Sequence, residues 1–190
     1  MLQHLLAELS SDDVFLDVGA NLGFFTIFAA HKCKHVIACE PEMKAFERLT
    51  TNVSLNRVQN VELLNIALSD HGGAGFITIP CNDATIQDAH LSDSGQPIEL
   101  RRGDSMEIVP TVAKIDVEGH EVAVLRGLGE HLRSVRMLLC EIHTESGVDA
   151  KEVEAALSQF GPWTFSYWKR HHQMHLLARR DVKRTQPAKP

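Results

Sequence analysis

The strongest constraint on this chain is a rhythm of apolar segments. Between residues 14 and 64, three short apolar runs alternate with two stretches of helical spacing. Val14–Val18, His35–Cys39 and Val61–Leu64 read as strands. Phe24–Ala30 reads as a helix. So does 42–56, where Met43, Ala45, Phe46, Leu49 and Val53 recur close to the helical period. A β-α-β-α-β order implies parallel strands joined by right-handed crossovers. Strands that are apolar almost throughout imply helices on both faces of the sheet. The expected class is therefore α/β, with a mostly parallel, doubly wound sheet.

The stretch 69–106 breaks the rhythm. It is rich in Gly, Asp, Ser and Thr and reads as an insertion with a hairpin or irregular strands near 75–79 and 98–101. The alternation then resumes with strands at Val112–Ile115 and Met137–Ile142 and helices at 120–127 and 151–160. Two final strands, 163–167 and 174–178, form an antiparallel pair. A length of 190 residues suits one domain, taken as 1–183. Residues 184–190 hold two prolines and no large apolar side chain, and read as a flexible tail.

Composition narrows the class. Hydrophobic residues make up 44% and charged residues 23%, as in ordinary water-soluble proteins. No apolar run reaches the roughly 20 residues of a membrane span, and residues 1–10 lack the basic start of a secretory signal. Cys33, Cys39, Cys81 and Cys140 form no C-x-x-C pair and read as reduced thiols of a cytoplasmic protein. The net charge of −6 divides into about +6 over 169–190 and about −12 elsewhere, so a nucleic-acid partner is not expected.

The chemistry begins at Asp17-Val18-Gly19-Ala20-Asn21-Leu22-Gly23, a glycine loop between the first strand and the first helix. Glycines there let backbone approach a ligand. A dinucleotide site needs a third glycine where Phe24 stands, which weakens a pyrophosphate reading. Asp17 suits a ligand that carries an amine, because a carboxylate accepts hydrogen bonds from ammonium. Glu40 ends the second strand, where a carboxylate can hold ribose hydroxyls. It is followed by Pro41, so a helix-start role competes for it. S-adenosylmethionine joins an amine to a nucleoside without phosphate.

Lys114-Ile115-Asp116-Val117-Glu118-Gly119-His120-Glu121 closes a strand that should lie across the switch point from the glycine loop. Asp116 and Glu118 share a face if the chain stays extended there. The next strand ends in Glu141-Ile142-His143, so Glu118 and His143 are expected to meet over the ligand crevice. There His143 serves as general base with Glu118, and His120 is the reserve. Asp116, Glu118 and His143 have the chemistry for Mn or Mg but lack H-x-H or H-x-x-x-H spacing, so no metal is expected. His171, His172 and His175 come closer to ligand spacing but straddle a turn.

Together with Asn65-Ile66-Ala67-Leu68-Ser69-Asp70, these segments resemble the motif series of the FkbM-type S-adenosylmethionine-dependent methyltransferases. The resemblance runs from about residue 14 to residue 143. It implies a Rossmann-like class I methyltransferase fold and O-methylation of sugar or polyketide hydroxyls, with S-adenosylmethionine as cofactor. Carried over by position, it places Asp17, Gly19, Ala20, Asn21 and Gly23 at the methionine end of the cofactor. It places Glu40 at the ribose, Pro41 and Ala67 at the adenine, and Asp116 near the methionine moiety. The implied partner is a small-molecule or glycan hydroxyl acceptor. Its pocket comes from 69–106, from the C-terminal strands or from another subunit of a homo-oligomer. The competing readings are an NAD-binding oxidoreductase and a non-catalytic or partner-dependent S-adenosylmethionine-binding module.

Overall fold

The computed structural model describes residues 5, 7–79, 89–170 and 173–180. His171, His172, Cys81 and the expected tail at 184–190 lie outside them. A seven-stranded sheet runs through the described part in the order β10-β11-β9-β8-β1-β2-β3. Its strands are β1 (Val14–Val18), β2 (His35–Cys39), β3 (Val61–Leu64), β8 (Val112–Ile115), β9 (Met137–Ile142), β10 (Thr164–Arg170) and β11 (Gln173–Arg179). The five strands from β3 to β9 are parallel. β11 runs antiparallel to β9, and β10 antiparallel to β11. The fold is thus the mostly parallel, doubly wound sheet with an antiparallel C-terminal pair that the sequence implies.

Alternation along each strand sends side chains to two apolar layers. Leu16, Val18, Ile115 and Cys140 face one layer, with α3 (Glu121–Leu128) and α4 (Ala150–Ser158) over them. Phe15, Val36, Val112 and Leu139 face the other, on the side of α1 (Phe24–Ala30), while Ala38 packs with α2 (Met43–Leu55). Leu125 and Leu128 of α3 have no exposed surface, and full burial of such a side chain stabilises by about 1.5–3 kcal/mol.

The described part of 69–106 is more regular than its sequence suggests. β4 (Ala67–Ser69), β5 (Gly73–Thr78), β6 (His90–Ser92) and β7 (Gln96–Arg102) form a second sheet in the order β4-β7-β5-β6. Leu68 of β4 belongs to the same core as Leu125 of α3. A polar link secures the opposite end of the main sheet. Buried Asp13 accepts from Arg136 Nη2 at 2.5 Å, from Thr111 Oγ1 at 2.9 Å and from the Ser10 backbone at 2.8 Å, tying the entries of β1, β8 and β9 together. These bonds outweigh the desolvation of the carboxyl and hold its pKa below the usual value.

Candidate active site

Strand order reverses at β1, whose neighbours are β2 and β8. In open α/β sheets ligands bind outside the carboxyl ends of the strands at this point. A cavity of ≈ 570 Å³ lies there, within the range of small-molecule sites.

The glycine loop forms its floor. Gly19 N–H and Ala20 N–H both donate to Cys39 O at 3.0 Å, which folds the loop across the end of β2. Gly19 has φ +73°, and a Cβ there would stand 1.9 Å from Asp116 O, so no other residue fits without moving the end of β8. Gly23, at φ +89°, answers to packing instead: its missing Cβ makes room for Leu49 of α2.

Glu40 is 6% exposed and lines the cavity. Its Oε2 accepts from Asn21 N–H and its Oε1 from Glu42 N–H, each at 2.8 Å. Each oxygen keeps a lone pair for a ligand hydroxyl. Burial raises its pKa. The helix-start role that competed for Glu40 falls to Glu42, whose side chain caps α2 through Lys44 N–H and Ala45 N–H. Asn65 Nδ2 donates to the carbonyls of Glu40 and Pro41 at 2.8 and 3.1 Å and fixes their turn.

Asp17 behaves differently from the sequence expectation of a residue facing a ligand. It has no exposed surface and is not on the cavity wall. Thr26 donates to its Oδ2 at 2.6 Å, and the amine beside its Oδ1 belongs to Lys114, 3.5 Å away. Lys114, which lines the cavity, is a residue the sequence did not single out. It is 3% exposed, donates to Gly19 O at 2.7 Å, and lies 3.3 Å from Asp116 Oδ2. Burial works against its charge, but Asp116 and Asp17 outweigh that and raise its pKa. A lysine inside the apolar run Val112–Ile115 was the available signal.

The chain turns sharply after β8. Glu118 has φ +52°, a left-handed conformation uncommon outside glycine. The extended Asp116-to-Glu118 path expected from sequence is therefore replaced by a turn, yet both carboxylates still line the cavity. His143 stands behind them, 9% exposed. Its Nδ1–H donates to Glu121 Oε1 at 2.5 Å, and Glu121 is wholly buried. Its Nε2 lies 3.1 Å from Glu118 Oε2, 3.7 Å from Glu141 Oε1 and 3.8 Å from Asp116 Oδ1. The expected meeting of Glu118 and His143 is present. Burial opposes charge on the ring, but Glu118 and Glu121 outweigh it and raise the His143 pKa to about 10. Burial, then Asp116, pushes Glu141 up to about 7.

His120 also lines the cavity, with Nε2 2.9 Å from Ser69 Oγ, and burial lowers its pKa. His175 is 2% exposed, in register with Glu141 and stacked on Trp168. Pro41 and Ala67 flank Glu40, while Ile77 and Leu91 of the second sheet and Gln173 of β11 complete the wall. Glu40, Asp116, Glu118 and Glu141 outnumber its one lysine, which is already bound to Gly19. Such a wall suits a cationic nucleoside and not a pyrophosphate, so these residues fit S-adenosylmethionine and disfavour NAD.

The fold is that of class I methyltransferases. A Methylobacillus flagellatus methyltransferase FkbM superposes with a TM-score of 0.68 at 16% identity, over 90% of this chain and 44% of that one. A Streptococcus mutans protein solved in complex with SAH gives 0.61 at 11% identity, over 94% of each chain. Residues 17–162 match the model of the methyltransferase FkbM domain, and the chain belongs to that family. It is 35% identical to hexuronic acid methyltransferase AglP of Haloferax volcanii over 82% of its length, and spans 65% of that protein. It is 31% identical to 31-O-demethyl-FK506 methyltransferase FkbM of Streptomyces tacrolimicus over 75% of its length, and spans 54% of that protein.

Proposed function

We propose that this chain is an S-adenosylmethionine-dependent O-methyltransferase acting on a hydroxyl of a sugar, glycan or polyketide-like metabolite. The observation that carries the reading is the pairing, in one cavity, of a Glu40-and-glycine-loop end with an Asp116–Glu118–Glu141 end. The names of AglP and FkbM support the acceptor class.

When bound, S-adenosylmethionine supplies a methyl group already activated on a sulfonium. Glu40 would accept hydrogen bonds from the ribose hydroxyls, and Pro41 and Ala67 would hold the adenine. Gly19, Ala20 and Asn21 would hold the methionine end, and Asp116 would accept from its amine. Lys114 holds Gly19 and Asp116 in place, and Asp17 and Gly23 support the loop from beneath and behind. Glu118 is on the cavity wall and His143 is behind it, so the expected pair divides its work. Glu118 would take the proton of an acceptor hydroxyl, and His143 would orient Glu118. Much of the catalysis is alignment of two bound reactants.

The acceptor sits under the second sheet and β11, with a further subunit as the remaining source of cover. Residues 1–183 act as one methyltransferase unit. The buried free thiols of Cys33, Cys39 and Cys140 favour the cytoplasm, and no helix among the described residues is long and apolar enough to cross a membrane.

The test is transfer of a tritiated methyl group to a panel of glycans and hydroxylated metabolites. Label on an acceptor oxygen is expected. SAH binding without transfer to any acceptor, alone or with partner proteins, would instead favour a binding module.

A further inference from the structure

We infer that Asp116, Glu118 and His143 form a site for a hard divalent cation, of the Mg or Mn kind, at the acceptor end of the cavity. One oxygen from each carboxylate and one ring nitrogen lie within 4.8 Å of one another. Two carboxylate oxygens and one imidazole nitrogen are a donor set that such ions accept.

The imidazole carries the inference beyond a cluster of acids. His143 is nine-tenths buried, and its Nε2 has no hydrogen-bond partner. An ordinary ion pair would align this nitrogen with one carboxylate. Here it lies 3.1 Å from Glu118 Oε2 and 3.8 Å from Asp116 Oδ1 without hydrogen-bond geometry to either. Its other nitrogen is occupied: Nδ1–H donates to Glu121, which is wholly buried and held in turn by Gly119 N–H at 3.1 Å. A carboxylate behind a histidine holds Nδ1–H, so a cation that displaces the Nε2 proton meets the usual support of a metal-bound imidazole. The left-handed turn at Glu118 brings its carboxylate back to this point.

Spacing rules missed the site because its donors come from the ends of two neighbouring strands, β8 and β9. Asp116 and Glu118 border the cavity, so a cation between them keeps open positions towards it. A hydroxyl bound there becomes more acidic, as oxygen on a metal does. That role rests on the methyltransferase reading, whereas the coordination does not.

The test is titration of the purified chain with Mn²⁺, followed by calorimetry and by the electron paramagnetic resonance signal of free Mn²⁺, with Mg²⁺ as competitor. The expected result is one Mn²⁺ per chain, displaced by Mg²⁺. Glu118→Gln and His143→Gln should each weaken it at least tenfold, while Glu130→Gln, on the exposed surface, leaves it unchanged. Circular dichroism checks each variant, and if His143→Gln unfolds, Asp116→Asn takes its place. No binding up to millimolar Mn²⁺, or binding that survives both Glu118→Gln and the second variant, overturns the inference. SAH binding is measured on the same samples. If it persists without Mn²⁺ binding, only the cation site falls; if it is absent, the methyltransferase reading falls on separate grounds.

Discussion

Replacing Lys114 with methionine tests how the glycine loop is held. The substitution keeps the length and apolar stem of the side chain but removes its ammonium. Asp17, with no exposed surface, would retain Thr26 and lose the only cation within 4 Å of its carboxylate among the described residues. Its Oδ1 already has no hydrogen bond. Gly19 O would lose the donor at 2.7 Å. Asp116 is partly solvated and contributes less. Breaking a buried pair from one side costs about 3–5 kcal/mol, because a charge is left without compensation. For a chain of this size each kcal/mol is worth roughly 2–4 °C, so the melting temperature should fall by on the order of 6–20 °C. Urea unfolding followed by circular dichroism gives the free energy. Asp17→Asn combined with Lys114→Met should recover most of the loss, since neither charge then remains. A Lys114→Met variant within about 1 kcal/mol of wild type, or a double variant no more stable than the single one, would show that the Lys114 ammonium does not hold the loop.

Other consequences are equally concrete. Gly19→Ala should lower SAH affinity at least tenfold, about 1.4 kcal/mol, while thermal unfolding still shows a folded chain. The cause is a Cβ placed 1.9 Å from Asp116 O, and calorimetry reads the loss. Glu118→Gln should cut methyl transfer by about 10²–10⁴-fold with SAH affinity little changed, measured by label transfer beside calorimetry. Asp13 has a folded pKa held below its unfolded value of about 3.9, so its stabilisation is complete above that pH and is lost as pH falls through the folded pKa. The stability gap between wild type and Asp13→Ala should therefore be wide at pH 7 and narrow progressively in acid, as followed by denaturant unfolding across pH.

Much of the main sheet was legible because its strands are buried on both faces. Val14–Val18, His35–Cys39 and Met137–Ile142 carry runs that little else explains, and their observed bounds agree with the sequence reading. The second sheet was legible only in part: pieces of β5 and β7 were read near 75–79 and 98–101, but not β4, β6 or the strand order. β5 has one buried residue in six, at Ile77, and β6 has none, so neither leaves a clear period. Its order also joins β4 to β7 across about thirty residues, a pairing that local spacing does not encode.

The site divided along the same line. Gly19, Ala20, Asn21, Glu40, Pro41, Ala67, Asp116 and Glu118 were named from sequence, and the structure gathers them on one cavity wall. The role of Asp17 was harder to read, because an acid beside a glycine loop looks the same whether it faces a ligand or a neighbouring strand. Only the β1–β8 register, which sets Asp17 opposite Lys114, separates the two. The meeting of Glu118 with His143 was expected, but Glu121 and Glu141 beside the same ring were not, and neither was the left-handed turn that redirects Glu118.

On the proposed reading, the cavity at the β1–β8 switch point takes an amine-bearing nucleoside without phosphate. Calorimetric titration of the purified chain with SAH and with NAD tests it directly. One SAH per chain, lost in Glu40→Ala, and no heat with NAD are expected. Saturable NAD binding with no response to SAH would contradict it.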